Sequence, residues 1–171
     1  MKPNELSKSE YSSFNATYIN SLEDLSLIEG LEKGLIQMVS FLSNIPIEKL
    51  EYRYAIGKWT IKDVILHLID SERIFAYRAL RIGRGDKTPL AGFEENDYVP
   101  NANANSRSLE SLLEEFQLVR KSTLLLFENF SDEQLAYLGT SSDNIISVRA
   151  IGFLISGHQN HHLKIIQERY L

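Results

Sequence analysis

Three of the four histidines in this chain lie close together near its C-terminus, in the stretch GHQNHHLKIIQ at residues 157–167. His158 and His162 are one helical turn apart, so on a helix their side chains would project side by side. Two imidazoles spaced in this way can bind one metal ion, as they do in helical zinc motifs. The spacing by itself is weak evidence, because residue pairs of this kind also arise by chance.

The apolar residues around these histidines predict that the pair is buried. On a helical wheel that starts at Ile151, His158 falls at about −20° and His162 at about +20°, whereas His161 falls near −80°, at the edge of the apolar stripe. Each buried ring has nitrogens that need partners, and a shared metal would satisfy one nitrogen of each. The alternative is a pair of structural histidines bonded to backbone or side-chain groups.

The fourth histidine, His67, belongs to a different predicted helix, on the flank of its apolar face. Alone it would more often be structural, but with the buried pair it can complete a site of three nitrogens between facing helices. Three neutral imidazoles suit zinc, nickel, iron or copper rather than calcium or magnesium. Three protein ligands leave a coordination position open, which is typical of catalytic sites. His161 is the spare candidate, since it could also pair with His158.

The elements that would position these side chains are four amphipathic helices of about 20 residues each. Apolar residues recur with helical spacing over residues 22–42, 61–82, 109–127 and 148–170. Thr60 with Asp63 predicts a capped start for the second helix, and Ser147 predicts one for the fourth. Strict apolar–polar alternation is not sustained anywhere, so no strand is predicted. The pattern therefore predicts an all-α protein, a four-helix bundle forming one domain over residues 1–171, with residues 1–20 as an N-terminal extension.

The connection between the second and third helices is unusually long. About 20 residues, from Gly85 to about Ser106, contain Pro89, Gly92 and Pro100. Such loops are uncommon in compact domains. If the two helices run parallel, the chain must return along the bundle, so the sequence predicts a long crossover here. A role as a lid is a second interpretation.

Composition excludes several classes of protein. With 18 basic and 23 acidic residues the chain has a formal net charge of −5, which argues against a nucleic-acid-binding protein. There is no cysteine, so disulfides, thiolate nucleophiles and sulfur-ligated metals are excluded. No targeting segment or membrane-spanning run is evident. We therefore expect a soluble, cytoplasmic protein that does not bind membranes.

The sequence also predicts the exposure and the contacts of several polar residues of the second helix. Asp63 and Asp70 flank His67, and either could orient its ring, although Asp63 is more simply explained as a capping residue. Glu72 is expected to be exposed. Arg78 points to the core face, where we expect it to pair with a carboxylate. Its position about 16 Å along the axis from His67 would keep it away from a substrate at the metal.

Two further predictions concern Gly34 in the first helix and Gln159 in the fourth. Gly34 is expected to lie off the buried stripe of the first helix. Gln159 follows His158 where helical zinc proteases carry a glutamate, so the sequence offers no evident general base.

Residues 57–99, which begin GKWTIKDVILH, and residues 156–170, SGHQNHHLKIIQERY, resemble the DinB-like (DinB/YfiT) superfamily of metal-dependent enzymes. The resemblance implies a four-helix bundle with one long crossover, and a metal held by His67, His158 and His162. Members include S-transferases that use the thiols bacillithiol or mycothiol, and a mycothiol-dependent isomerase. The resemblance therefore implies a divalent metal, with zinc and nickel as the first candidates. It also implies a small-molecule substrate and a low-molecular-weight thiol as cosubstrate.

Two classes of function remain open from the sequence. The first is a metal-dependent enzyme, a thiol-dependent S-transferase or a related hydrolase that acts on small electrophiles. The second is a non-catalytic, metal-stabilised bundle that serves as a binding or stress-response module. A third reading is a bundle without metal, in which the histidines are structural. Exposed apolar residues on several helices predict a homodimer, and the resemblance to the family implies one as well.

Overall fold

Four long helices form the body of the protein, as the sequence predicts. The computed structural model describes all 171 residues. In chain order the helices are α1 (Ser13–Ile19), α2 (Leu27–Ser43), α3 (Ile61–Gly83), α4 (Glu95–Ala102), α5 (Leu109–Glu128), α6 (Asp132–Leu135) and α7 (Val148–Arg169). The strands are β1 (Leu138–Ser141) and β2 (Asn144–Ser147). The bundle consists of α2, α3, α5 and α7. No helix is both long and apolar enough to cross a membrane.

Side-chain caps define where the helices begin. Thr60 Oγ1 accepts a hydrogen bond from the backbone N–H of Asp63, and the Asp63 carboxylate accepts one from the N–H of Thr60, which fixes the start of α3. Ser147 accepts from the N–H of Ala150 at the start of α7. Helix α2 begins five residues later than predicted, because Ser26 and Glu29 form a capping box there.

Helices α3 and α5 run parallel. Asn105, just before α5, donates to the carboxylate of Asp63 at the start of α3, at 2.9 Å. At the other end, Gly83 of α3 lies directly against the ring of Phe130, which follows α5. The chain between them must therefore return along the bundle, and the predicted crossover is confirmed. Its path contains α4, which the sequence analysis did not predict.

A short hairpin departs from the prediction that the chain has no strands. β1 and β2 pair antiparallel, with Leu138 opposite Ser147 and Ser141 opposite Asn144. Ser142 and Asp143 both adopt positive φ, as the type I′ form of a two-residue hairpin turn requires. Strands of four residues are too short to show a sustained alternation, so the periodicity of the sequence does not indicate them. Leu90 of the crossover bonds through its backbone to the hairpin and holds it beside the end of α3.

Two features of the core contradict the sequence analysis. Gly34 faces the interior, because a Cβ there would lie 2.9 Å from Arg120 Nη1 and 3.1 Å from Gln159 Oε1. Glu72 is not exposed, since it is buried and bonds through both oxygens to the guanidinium of Arg120, at 2.7 and 2.8 Å. Only a glycine at position 34 leaves room for the side chains of Glu72, Arg120 and Gln159 to meet between α2, α3, α5 and α7.

The N-terminal residues pack against the bundle. Helix α1 lies on α7, and the backbone carbonyl of Tyr18 approaches Gly157 so closely that a Cβ at 157 would lie 2.6 Å from it. The buried Glu10 bonds to Arg149 of α7 through both carboxylate oxygens, each at 2.6 Å. The assignment of residues 1–171 to one domain stays a prediction.

Candidate metal centre

The imidazole rings of three histidines meet between α3 and α7. The Nε2 atom of His158 lies 3.1 Å from Nε2 of His67 and 3.1 Å from Nε2 of His162. One ring nitrogen from each residue lies within 4.8 Å of the other two. The spare candidate, His161, is exposed and lies outside this group, with its ring centroid 5.3 Å from that of Tyr18. The structure therefore brings together the three residues that the sequence selected.

Burial keeps these imidazoles neutral. It lowers the pKa of His67 to about 4 and that of His162 to about 3. It also lowers the pKa of His158 well below its usual value, and the positive charge that its three neighbouring histidines could carry lowers it further. At neutral pH each ring therefore has one protonated nitrogen and one lone pair, the form in which histidine binds metals.

Hydrogen bonding among the rings cannot account for the arrangement. A neutral imidazole nitrogen carries one proton or one in-plane lone pair, so His158 Nε2 can make one well-directed hydrogen bond but not two, and it has two neighbours at 3.1 Å. Nitrogens bound to one tetrahedral zinc at about 2.0–2.1 Å lie about 3.3 Å apart. The observed 3.1 Å separations are close to that spacing. The donor set thus fits a first-row transition metal.

Asp63 and Asp70, which the sequence offered as residues that could orient His67, contact other groups instead. Asp63 is held by the cap of α3, by Asn105 and by Arg53 at 3.2 Å. Asp70 lies 3.7 Å from Arg73, and neither carboxylate bonds to the ring of His67. Nδ1 of His67 instead lies 3.5 Å from the hydroxyl of Ser71, one turn along α3.

The three histidines line one end of a cavity of about 420 Å³. Its other walls come from α1, α3, the crossover, the hairpin and α7, and they include Trp59, Phe75, Phe93 and Tyr18. The ring of Trp59 lies 4.9 Å from that of His67, and the ring of Phe75 lies 5.8 Å from that of His158, between centroids. A cavity of this size and lining is typical of sites for small molecules.

The family model described as the DinB superfamily matches residues 31–166, a range that contains all three histidines. The chain belongs to the DinB superfamily. No curated protein matches it.

Two solved structures share the fold of this DinB superfamily chain. The first is YfiT from Bacillus subtilis, described as "a probable metal-dependent hydrolase with an unusual four-helix bundle topology". It is 20% identical, with a TM-score of 0.74, over 86% of this chain and 89% of its own. The second is a mycothiol-dependent maleylpyruvate isomerase, 13% identical with a TM-score of 0.68, over 86% of this chain and 62% of its own. At these identities the likeness shows the fold.

Arg78 departs from the sequence prediction in this DinB superfamily chain. It is buried as expected, but no carboxylate lies within ion-pair distance of it, and its guanidinium lines the same cavity as the histidines. Its Nη2 donates to the carbonyl of Ala91, at 2.8 Å, and to the hydroxyl of Ser142, at 3.1 Å. The predicted pairing with a carboxylate is therefore wrong, because the groups that meet Arg78 come from the crossover and the hairpin, 13 and 64 residues away in the chain.

Proposed function

We propose that His67, His158 and His162 hold a divalent transition metal and that this chain is a metal-dependent enzyme acting on small molecules. The observation that carries the proposal is the convergence of three neutral Nε2 atoms, two pairs of them 3.1 Å apart, at one end of a cavity of about 420 Å³. Imidazole ligands suit zinc, nickel, iron and copper, and we take zinc and nickel as the first candidates because the resemblance to the family implies them.

Bound there, the metal would supply a Lewis acid that can lower the pKa of a coordinated water to about 7 or hold a thiol as its thiolate. The protein would contribute three ligands and leave space on the cavity side for a fourth. The walls formed by Trp59 and Phe75 would limit the access of water to that position.

We further propose that the reaction is the transfer of a low-molecular-weight thiol to a small electrophile, or a related hydrolysis. The chain has no cysteine, so its own side chains offer no thiol, and the nucleophile would come from solution. The two solved relatives support this class, since one is described as a probable hydrolase and the other depends on mycothiol.

A specific observation favours the alternative, a metal-stabilised bundle that binds without catalysis. No carboxylate bonds to the ring of His67, because Asp63 is occupied by the helix cap and Asp70 lies beside Arg73. The one carboxylate in the cavity wall is Glu95. An enzyme would have to use Glu95, His161, which also lines the cavity, or a group of the substrate as its base, whereas a binding module needs none.

Metal analysis of protein purified without a histidine tag tests the proposal. We expect about one equivalent of metal per chain in the wild type, and its loss in His67→Asn and His162→Asn. His161→Asn is the matched control, because His161 lies on the same helix but outside the cluster. Metal content that is the same in all four proteins would contradict the site.

A thiol-conjugation assay with a model electrophile then separates the two functions. Turnover that needs both the metal and an added thiol supports the transferase. Bound metal with no turnover under any thiol, and no hydrolysis of activated esters, supports the binding module.

Two further properties belong to the proposal. We propose a cytoplasmic protein, and a homodimer formed through exposed apolar side chains such as Ile36 of α2 and Leu118 and Leu125 of α5. Sedimentation equilibrium would measure the oligomeric state.

A further inference from the structure

Arg78 is one of only two arginines that are buried, and the two have different surroundings. Arg120 is paired through two hydrogen bonds with Glu72. Arg78, which is 6% exposed, takes part in no ion pair. A buried charge without a counter-charge is costly, so an unpaired arginine in a cavity wall needs an explanation.

The guanidinium of Arg78 has donors to spare. Its two hydrogen bonds both come from Nη2, one to Ala91 and one to Ser142, and both acceptors are neutral. Nε and Nη1 have no partner in the protein. A guanidinium has five N–H groups in a fixed planar fork that matches carboxylate and phosphate oxygens. The cavity is the space into which the remaining donors can bond.

The surroundings hold this cation in place. Its Cζ lies 5.9 Å from the centroid of the Phe75 ring and 5.8 Å from that of Phe93, within the range of cation–π contacts. The hairpin adds polar groups to the same wall, with Ser142 and Asn144. Glu95 also lines the cavity but lies beyond ion-pair distance of Arg78, so it leaves the positive charge without a partner.

Phe75 connects this end of the cavity with the histidines. The same ring that lies 5.9 Å from Arg78 Cζ lies 5.8 Å from the ring of His158. A molecule lying along Phe75 could therefore contact Arg78 at one end and the three histidines at the other.

We infer that the cavity takes a small molecule that carries an oxyanion, a carboxylate or a phosphate, and that Arg78 binds this group while the reactive end lies at the three histidines. The inference rests on the proposed function for the role of the histidine end. The anion site itself depends only on Arg78 and the cavity.

Calorimetric binding of matched six-carbon probes to the purified full-length protein tests the anion site without reference to activity. Hexanoate and hexyl phosphate carry the oxyanion, and hexan-1-ol is the uncharged control. We expect the wild type to bind one of the anions at least about tenfold more tightly than the alcohol, because charge-assisted hydrogen bonds are strong. The anion that binds more tightly then names the group.

Because an oxyanion can also bind a metal, the comparison of variants decides the case. Arg78→Met should abolish the preference for the anion, and Arg78→Lys should keep part of it. Arg84→Met, which removes an exposed arginine at the end of the same helix, should leave it unchanged. Equal affinity for anion and alcohol in the wild type, or a preference that survives Arg78→Met in a folded variant, would overturn the inference.

Kinetics separate this inference from the proposed function. If the protein conjugates thiols, Arg78→Met should raise KM for 6-mercaptohexanoate by about tenfold or more and leave KM for 6-mercaptohexan-1-ol unchanged. Turnover without that difference would overturn the anion site and leave the proposed function intact. Anion binding that depends on Arg78 in a protein without turnover would overturn the proposed function and leave the anion site intact.

Discussion

The Nε2 atoms of His67 and His158 lie 3.1 Å apart, although 91 residues separate them in the chain. The contact depends on how α3 lies against α7, because each ring is carried by a helix whose first turn is fixed by a side-chain cap. A cation shared by the two helices would link elements that are far apart in sequence and so stabilise the folded state.

Added zinc should therefore raise the thermal unfolding midpoint of the metal-free protein. At 100 times the dissociation constant, binding to the folded state alone adds about 2.7 kcal/mol to the free energy of unfolding. His161→Asn should keep this stabilisation and His162→Asn should lose it, as measured by calorimetry with and without zinc. Equal stabilisation of both variants would argue against the three-histidine site.

The buried pair of Glu72 and Arg120 should be sensitive to the loss of either charge. Glu72→Gln leaves the guanidinium of Arg120 buried without a counter-charge, so we expect a loss of about 3–5 kcal/mol in the free energy of unfolding, measured by urea denaturation. As a control, Glu23→Gln removes an exposed partner of Lys33 and should cost less than about 1 kcal/mol. Similar losses in the two variants would mean that the buried pair contributes no more than a surface pair.

Alanine substitution should have opposite effects at two glycines of α2. Gly34→Ala places a Cβ 2.9 Å from Arg120 Nη1, so overpacking of about 1–3 kcal/mol should outweigh the gain in helix propensity of about 1 kcal/mol. At Gly30 the nearest atom would be Ser156 Oγ at 3.6 Å, an ordinary contact, so Gly30→Ala should stabilise the protein. Urea denaturation of both variants checks the difference, which a stabilised Gly34→Ala would contradict.

The bond between Glu10 and Arg149 should make stability depend on pH. Burial favours the neutral acid, but hydrogen bonds from Arg149, from the N–H of Ser7 and from Ser147 outweigh it and lower the pKa of Glu10 below its usual 4.5. The ionised form therefore stabilises the folded state above pH 4.5, and this contribution is lost as the pH falls below that value.

Urea denaturation between pH 3.5 and 7 measures this effect. Glu10→Gln should be less stable than the wild type at pH 7, and the difference should shrink as the pH falls below 4.5. Glu128→Gln, which alters an exposed carboxylate without an ion pair, is the control. A difference between Glu10→Gln and the wild type that does not vary with pH would contradict the assignment.

The local features of the fold could be predicted because their causes are local. The caps at Thr60 and Ser147 join residues three positions apart, and the apolar stripes of the long helices repeat every three or four residues. The same periodicity selected His158 and His162 and set His161 apart, since it determines which side chains of one helix share a face. The chain by itself thus determined four helices, the long crossover and a pair of neighbouring imidazoles.

Only the tertiary structure decided which partner each polar side chain meets. The partner of Glu72 is 48 residues away in the chain, and Arg78 reaches the hairpin 64 residues away, so no spacing along one helix indicates either contact. Gly34 faces the interior because polar side chains of two other helices approach it there. The cavity likewise exists only where α1, the crossover and the hairpin close over the histidines, because burial and charge balance depend on the packing of distant elements, whereas helical periodicity is a property of the local chain.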